Sequence, residues 1–267
     1  MIAGFYQFSP VFGDKQANLN KVAEKLSDVK ADLIVLPEFF NTGYLFTKER
    51  EVKEHSENIP DGLTTRTLID ISAKTGSFIV AGLPENDNGI FYNSAVLTGP
   101  EGYIAKYRKT HLFNEEKLFF TPGDIAYKVI DIGIAKIGIL ICFDWYFPEA
   151  TRILALEGMQ ILCHPSNLVL PHCPRSMATR SLENRVFTLT CNRTGFEEKD
   201  GRKLSYIGTS QLLSPLGDLI INCNEFEDEL KTAFIEPSEA DNKNILGYND
   251  LFKDRRVDLY KTLTRID

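Results

Sequence analysis

Three residues of this chain have the types and positions that nucleophilic attack on a carbon centre requires: Cys142, Glu38 and Lys109. Cys142 ends the apolar run IGILIC and leads through FDWYF toward a helical pattern. Such a strand-to-helix elbow exposes a nucleophile beside unpaired backbone N–H groups, which can hold a developing oxyanion. A thiol with an unperturbed pKa of about 8.5 is mostly protonated at neutral pH, so it needs a neighbouring base or cation. Glu38 follows LIVLP, where Pro37 ends strand pairing and delivers a carboxylate just past a strand end, the edge at which open α/β sheets place their sites. Lys109 closes the strand-like run YIAKYRK. Each has an ordinary reading when taken singly, as a core thiol, a loop carboxylate and a solvated strand-end lysine.

The elements that must position these groups are written in the apolar pattern. Ile2 to Phe8 reads as a strand, and Leu19, Val22, Ala23, Leu26 and Val29 line one face of a helix. Leu33 to Leu36 reads as a buried strand, Leu63 to Ala73 as a helix stopped at Gly76, and Phe78 to Ala81 as a strand. Runs at 91–97 and 103–107, separated by TGPEG, predict a hairpin. A strand over 137–142 precedes a helix with Pro148 in its first turn, Glu149 favourable to the helix dipole, and Gly158 at its exit. Strands at 161–163, 187–190 and 231–235, a helix over 175–185 and a hairpin through SPLGD at 214–218 complete the pattern. Alternation of this kind predicts an α/β fold with sheets covered by helices. We expect one domain over residues 1–267, with a polar tail from about residue 238 that wraps the surface or a partner subunit.

Composition narrows the function. With 267 residues, 43% of them hydrophobic, the chain can bury a substantial core. A net charge of -7 and no cluster of Lys and Arg argue against a nucleic-acid partner. No window approaches the roughly 18 apolar residues of a membrane span, and the amino terminus does not read as a signal segment. We therefore expect a soluble, cytoplasmic protein acting on a small molecule. Five widely spaced cysteines, an odd number, point to reduced thiols.

Considered together, LPEFFNTGY around Glu38, YRKTHLFNEEKLFFTPGD around Lys109 and GILICFDWYFPEATRILALEGMQILCHPSN around Cys142 resemble the nitrilase superfamily of carbon–nitrogen hydrolases. The resemblance runs to about residue 260 and implies a four-layer α-β-β-α sandwich of two mixed sheets. It implies Cys142 as nucleophile, Glu38 as general base and acid, and Lys109 as the cation that steadies the tetrahedral intermediate. Glu116 matches a further carboxylate of the family that supports the lysine, with Glu115 as its rival. The family implies no cofactor and no metal, and assembly as a homodimer or higher even-numbered oligomer. RSLENR, 180–185, also resembles the family, and Arg180 and Glu183 can pair at helical spacing.

The chemistry follows from the residues as well. Attack by Cys142 on an amide carbonyl gives an oxyanion for Lys109 and the Phe143 backbone N–H, and proton donation by Glu38 expels ammonia or an amine. Water activated by Glu38 then releases the acid from the thioester. A small nitrile can enter the same route, and an N-carbamoyl amine is a further substrate class. Cys142-Phe143-Asp144 looks more like the amidase and carbamoylase branches than the Cys-Trp-Glu of nitrilases. Tyr44, Trp145, Tyr146 and Asn167 are candidates for the pocket wall. Two rivals are weaker: a metal site at Cys163-His164 and His172-Cys173, whose spacing fits no common zinc pattern, and an inactive binding or scaffold module, which would be free to lose one of the catalytic groups.

Overall fold

The computed structural model describes residues 1–265. Two six-stranded mixed sheets form the centre. The first contains β1 (Ile2–Gln7), β2 (Leu33–Val35), β3 (Phe78–Asp87), β4 (Ile90–Gly99) and β5 (Gly102–Arg108), and is closed at one edge by a late strand near residue 230. The second contains β6 (Ile130–Asp131), β7 (Lys136–Ile139), β8 (Ile161–Pro165) and β9 (Phe187–Cys191). A short hairpin, β10 (Phe196–Lys199) with β11 (Arg202–Ser205), stands apart from both sheets. Then β12 (Gln211–Leu213) and β13 (Leu219–Asn222) complete the second sheet, and β14 (Glu229–Phe234) is the late strand that pairs with β1. The sheet orders are β14-β1-β2-β3-β4-β5 and β13-β12-β9-β8-β7-β6.

Helices α1 (Lys15–Leu26) and α3 (Leu63–Thr75) cover the first sheet, with α2 (Glu49–His55) between them in sequence. Helices α4 (Pro148–Leu156) and α5 (Cys173–Asn184) accompany the second. Inner strands such as β2 are apolar on both faces because both faces are covered, whereas the outer strands β5, β13 and β14 carry exposed or charged residues. Along β2, Leu33 and Val35 join the core shared with Ile137, Ile139, Ile161 and Leu189 of the second sheet. The alternate residues Ile34 and Leu36 pack with Leu19, Val22, Leu26 and Leu68 of α1 and α3. This alternation of period two builds the α-β-β-α layering.

Several boundaries differ from the sequence reading. Pairing of β7 stops at Ile139, and Cys142 opens a 3₁₀ turn, Cys142–Tyr146, rather than ending a strand. Strand β3 runs on to Asp87 because Ile90–Gly99 folds back along it, a partner that local apolar content does not show. Helix α2 went unread, since only Glu51 and Val52 of its residues are buried. Past residue 238 the chain forms short 3₁₀ turns and a two-stranded hairpin, and Lys243 reaches back to donate to the carbonyls of Asn184 and Arg185 at the end of α5.

Candidate active site

Strands β1, β2, β3 and β5 run in one direction through two parallel pairings and two antiparallel ones, so the segments after β2 and β5 emerge at the same sheet edge. Glu38 and Lys109 stand on those segments. Packing at the β2 exit is close: a Cβ on Gly82 of β3 would lie 2.5 Å from Glu38 Cα. Lys109 is fixed through its backbone, donating from N to Asn93 O at 2.8 Å and accepting from Gly123 N at 2.8 Å.

Their side chains meet in the interior. Lys109 Nζ donates to Glu38 Oε1 at 2.8 Å and to Glu116 Oε1 at 2.8 Å, with both the lysine and Glu38 fully buried. Asn93 Nδ2 also donates to Glu38 Oε1, at 2.6 Å, and Tyr44 OH donates to Glu116 Oε1 at 2.6 Å. The second oxygen of Glu38, Oε2, is buried with no hydrogen-bond partner among the described residues. Asn167 Nδ2 holds the main-chain oxygen of Glu38 at 2.8 Å. The two neighbouring glutamates part in space: Glu116 is buried on the lysine, while Glu115 pairs with the half-exposed Arg202 at 2.8 Å.

Cys142 occupies the left-handed region at φ 43, uncommon for a residue with a Cβ and a recurrent feature of functional turns. Asp144 secures the turn. Its carboxylate accepts from Ile141 N at 3.0 Å, His111 N at 3.0 Å and Tyr107 OH at 2.9 Å, so it joins the elbow to the segment carrying Lys109. Two recesses meet here. A cleft of about 270 Å³ is lined by Tyr44, Phe113, Glu115, Glu116, Asn167 and Arg202, among others. A smaller apolar recess of about 40 Å³ is lined by Cys142, Phe143, Trp145, Tyr146, Asn167 and Val169 among others, and Phe113, Asn167 and Val169 are common to both. All the pocket residues expected from sequence therefore line one of the two, with Tyr146 at an exposed mouth.

Burial dominates the electrostatics. It raises Glu38 above the usual carboxylate range, against the opposing pull of Lys109. Burial lowers Lys109, but the carboxylates of Glu116 and Glu38 outweigh it and hold the ammonium above its ordinary value. Cys142 is pushed well above a normal thiol, by burial first and then by Glu38, with Lys109 opposing. Cys142 thus rests as a neutral thiol, and any attack by its sulfur would need a base.

Asn93 and the Arg193–Glu197 pair were not picked out from the sequence, Asp144 was read only as part of the Cys142-Phe143-Asp144 motif, and His164 only within a rival metal site. Glu197 accepts from the backbone N of Tyr44 at 3.1 Å and of Leu45 at 2.6 Å, and from Tyr206 OH at 3.1 Å, while fully buried Arg193 pairs with it. The available signal was polarity inside apolar strands, as with Asn93 in FYNSAV and His164 in ILCHP, because a buried polar group is costly unless it is satisfied. His164, weighed above as a metal ligand, is instead bonded to Cys142 O and Thr190 Oγ1. Among the described residues, no group of three or more His, Cys, Asp or Glu is placed to hold a metal ion.

The structure gathers a buried thiol, two buried carboxylates and a buried lysine into one region, the set of groups that hydrolysis through a thiol requires. The carbon-nitrogen hydrolase family matches residues 2–243, and the chain belongs to that family. It is 46% identical over 260 residues to a nitrilase of Pyrococcus abyssi, covering 96% of this chain and 97% of the relative. An omega-amidase of Xenopus laevis is 32% identical, with 85% of each chain covered. Among solved structures, a carbon-nitrogen hydrolase from Helicobacter pylori superposes with a TM-score of 0.90 at 24% identity, covering 99% of this chain and 98% of that one. The protein is a hydrolase of carbon–nitrogen bonds with nitrilase and amidase relatives. Among the described residues, no helix is long and apolar enough to cross a membrane.

Proposed function

We propose that the protein hydrolyses a small amide through a thioester on Cys142, with Glu38, Lys109 and Glu116 as the other working groups. The observation that carries this reading is the convergence of the Lys109 ammonium on both carboxylates at 2.8 Å beside a buried, neutral thiol. Glu38 takes the thiol proton, for which the unpartnered Oε2 supplies the lone pair. The sulfur bonds to the carbonyl carbon, and the oxyanion is held by Lys109 and the Phe143 N–H. Glu38 returns the proton to the leaving nitrogen, the C–N bond breaks, and ammonia departs. Water, deprotonated by Glu38, attacks the thioester; the C–S bond breaks and the proton returns to sulfur. Glu116, held by Tyr44 and bonded to Lys109, keeps the ammonium in place throughout.

A nitrile is the second reading, favoured by the 46% identity to a protein described as a nitrilase. Attack then gives a thioimidate, which water converts to the same thioester with loss of ammonia. An N-carbamoyl amine is a further candidate substrate, supported by 29% identity to the N-carbamoylputrescine amidase of Solanum lycopersicum.

We further propose a homodimer or larger even-numbered assembly of the single domain, in which α4, α5 and the tail from about residue 238 meet a partner. Ile153, Leu156, Leu182, Leu259 and Leu263 leave apolar surface exposed there. Light scattering of the purified protein tests this, and a monomer at micromolar concentration overturns it. All five cysteines are unpaired, which suits a reducing cytoplasm. The activity test is ammonia release from short amides, ω-amides, N-carbamoyl amines and nitriles, run beside Cys142→Ala. Release that vanishes in the variant supports the mechanism and names the substrate class, whereas release that persists sinks it.

A further inference from the structure

His164 does no chemistry in the proposed mechanism, yet it is fully buried next to the nucleophile. It lies on β8, the strand beside the elbow, where Leu140 N donates to Cys163 O at 3.1 Å. Its Nε2 is 2.8 Å from the main-chain oxygen of Cys142, and its Nδ1 is 3.1 Å from Thr190 Oγ1, on the β9 residue paired with it across the ladder. A carbonyl oxygen can only accept, so Nε2 carries the proton. Nδ1 then holds the lone pair and accepts from the Thr190 hydroxyl, which locks this tautomer. Burial keeps the ring neutral by lowering its pKa to about 4.

The oxygen that His164 holds belongs to the same peptide unit as the Phe143 N–H. That unit is planar and trans, so the C=O and N–H point in opposite directions and one bond orients both. The orientation requires restraint because Cys142 sits at φ 43, where a side chain carries a steric cost.

Building on the thioester reading above, we propose that His164 is a positioning residue that sets the Cys142–Phe143 peptide plane and so aims the Phe143 N–H at the oxyanion. The effect belongs to the transition state. Loss of an oxyanion donor costs about 100-fold to 1,000-fold in kcat, and a misaimed donor forfeits part of that, on the order of 10-fold to 100-fold. Glutamine places an amide nitrogen near the position of Nε2 and can donate in its place, whereas leucine cannot.

The test compares His164→Leu, His164→Gln and Thr190→Val with the unmodified protein on the best substrate from the ammonia-release panel. Alkylation of Cys142 by iodoacetamide is measured in parallel. That reaction displaces iodide from a saturated carbon and develops no oxyanion. We expect His164→Leu to lower kcat at least about tenfold with KM within about threefold, and alkylation to stay within about threefold. His164→Gln should recover most of the loss, and Thr190→Val should show a smaller fall. Full kcat in His164→Leu overturns the proposal. So does an equal fall in turnover and alkylation, which places the effect on the thiol, or a Gln variant no better than Leu at an unchanged melting temperature. If His164→Leu does not fold, the Thr190→Val result decides by the same criteria. Activity that survives Cys142→Ala would overturn the thioester reading itself, and that variant is measured separately.

Discussion

Replacing Lys109 with methionine removes the charge on which the buried site is balanced while nearly preserving its volume. In the native protein one ammonium lies 2.8 Å from each of two buried carboxylates. Without it, Glu38 and Glu116 face each other across the space, and Glu38 Oε1 keeps only the amide of Asn93. Breaking a buried ion pair by removing one partner costs about 3–5 kcal/mol. At roughly 2–4 °C per kcal/mol for a chain of this size, the melting temperature should fall by about 6–20 °C at pH 8. The deficit should depend on pH in a definite direction. Burial already raises Glu38, and loss of Lys109 removes the opposing pull on it. An acid whose folded pKa is raised contributes stability that is fully present below its unfolded pKa, about 4.3, and is lost as pH climbs through the folded value. The Lys109 contribution in the native protein persists across this window, because its pKa is raised. Melting curves of both proteins from pH 4 to pH 8 should therefore diverge as pH rises. A deficit below about 2 °C at pH 8, or one equal at both ends, would refute the account of a charge-balanced cluster.

Other perturbations probe other parts of the site. Gly82→Ala should sharply reduce turnover and destabilise the fold by about 1–3 kcal/mol, since its Cβ would lie 2.5 Å from Glu38 Cα; urea unfolding and ammonia release check both effects. Tyr44→Phe deletes the 2.6 Å bond to Glu116 and should lower kcat/KM about tenfold, with little change in melting temperature; wild-type kinetics would show that Tyr44 only lines the cleft. The acid limb of kcat/KM should fall at a pH above the usual carboxylate range, because Glu38 must be ionised to act as base and burial raises it; a limb at or below about pH 4.3 would contradict that role. Arg202→Ala should leave stability within about 1 kcal/mol, the pair with Glu115 being half exposed, yet raise KM for ω-amides bearing a distal carboxylate and spare neutral amides; equal effects on both would remove Arg202 from substrate selection.

Much of this site was legible in one dimension. Cys142 and Glu38 each follow an apolar run, readable because a run buried on both faces must be apolar, whereas Lys109 follows the mixed edge strand GYIAKYR. The helix stop at Gly76 and the Pro148 start likewise rest on local backbone preferences that need no partner. Helix α2 and the full length of β3 escaped because their extent depends on what packs beside them, not on their own pattern. The buried polar residues Asn93, Asp144 and His164 were present as anomalies within or beside apolar segments, but an anomaly does not name its partner.

The sequence by itself determined most strands and helices and the identity of the chemical groups, since periodicity and the residues at element ends are properties of short windows, while the family and its two sheets came from the resemblance of three motif stretches. Only the tertiary structure decided that Glu116 and not Glu115 bonds the lysine, that one oxygen of Glu38 has no hydrogen-bond partner among the described residues, and that the His164 ring lies on the main-chain oxygen of Cys142. Those outcomes depend on which side chains approach within about 3 Å across sequence separations of up to 87 residues. They also depend on how completely water is removed from between them. Neither quantity is a property of any local stretch of chain.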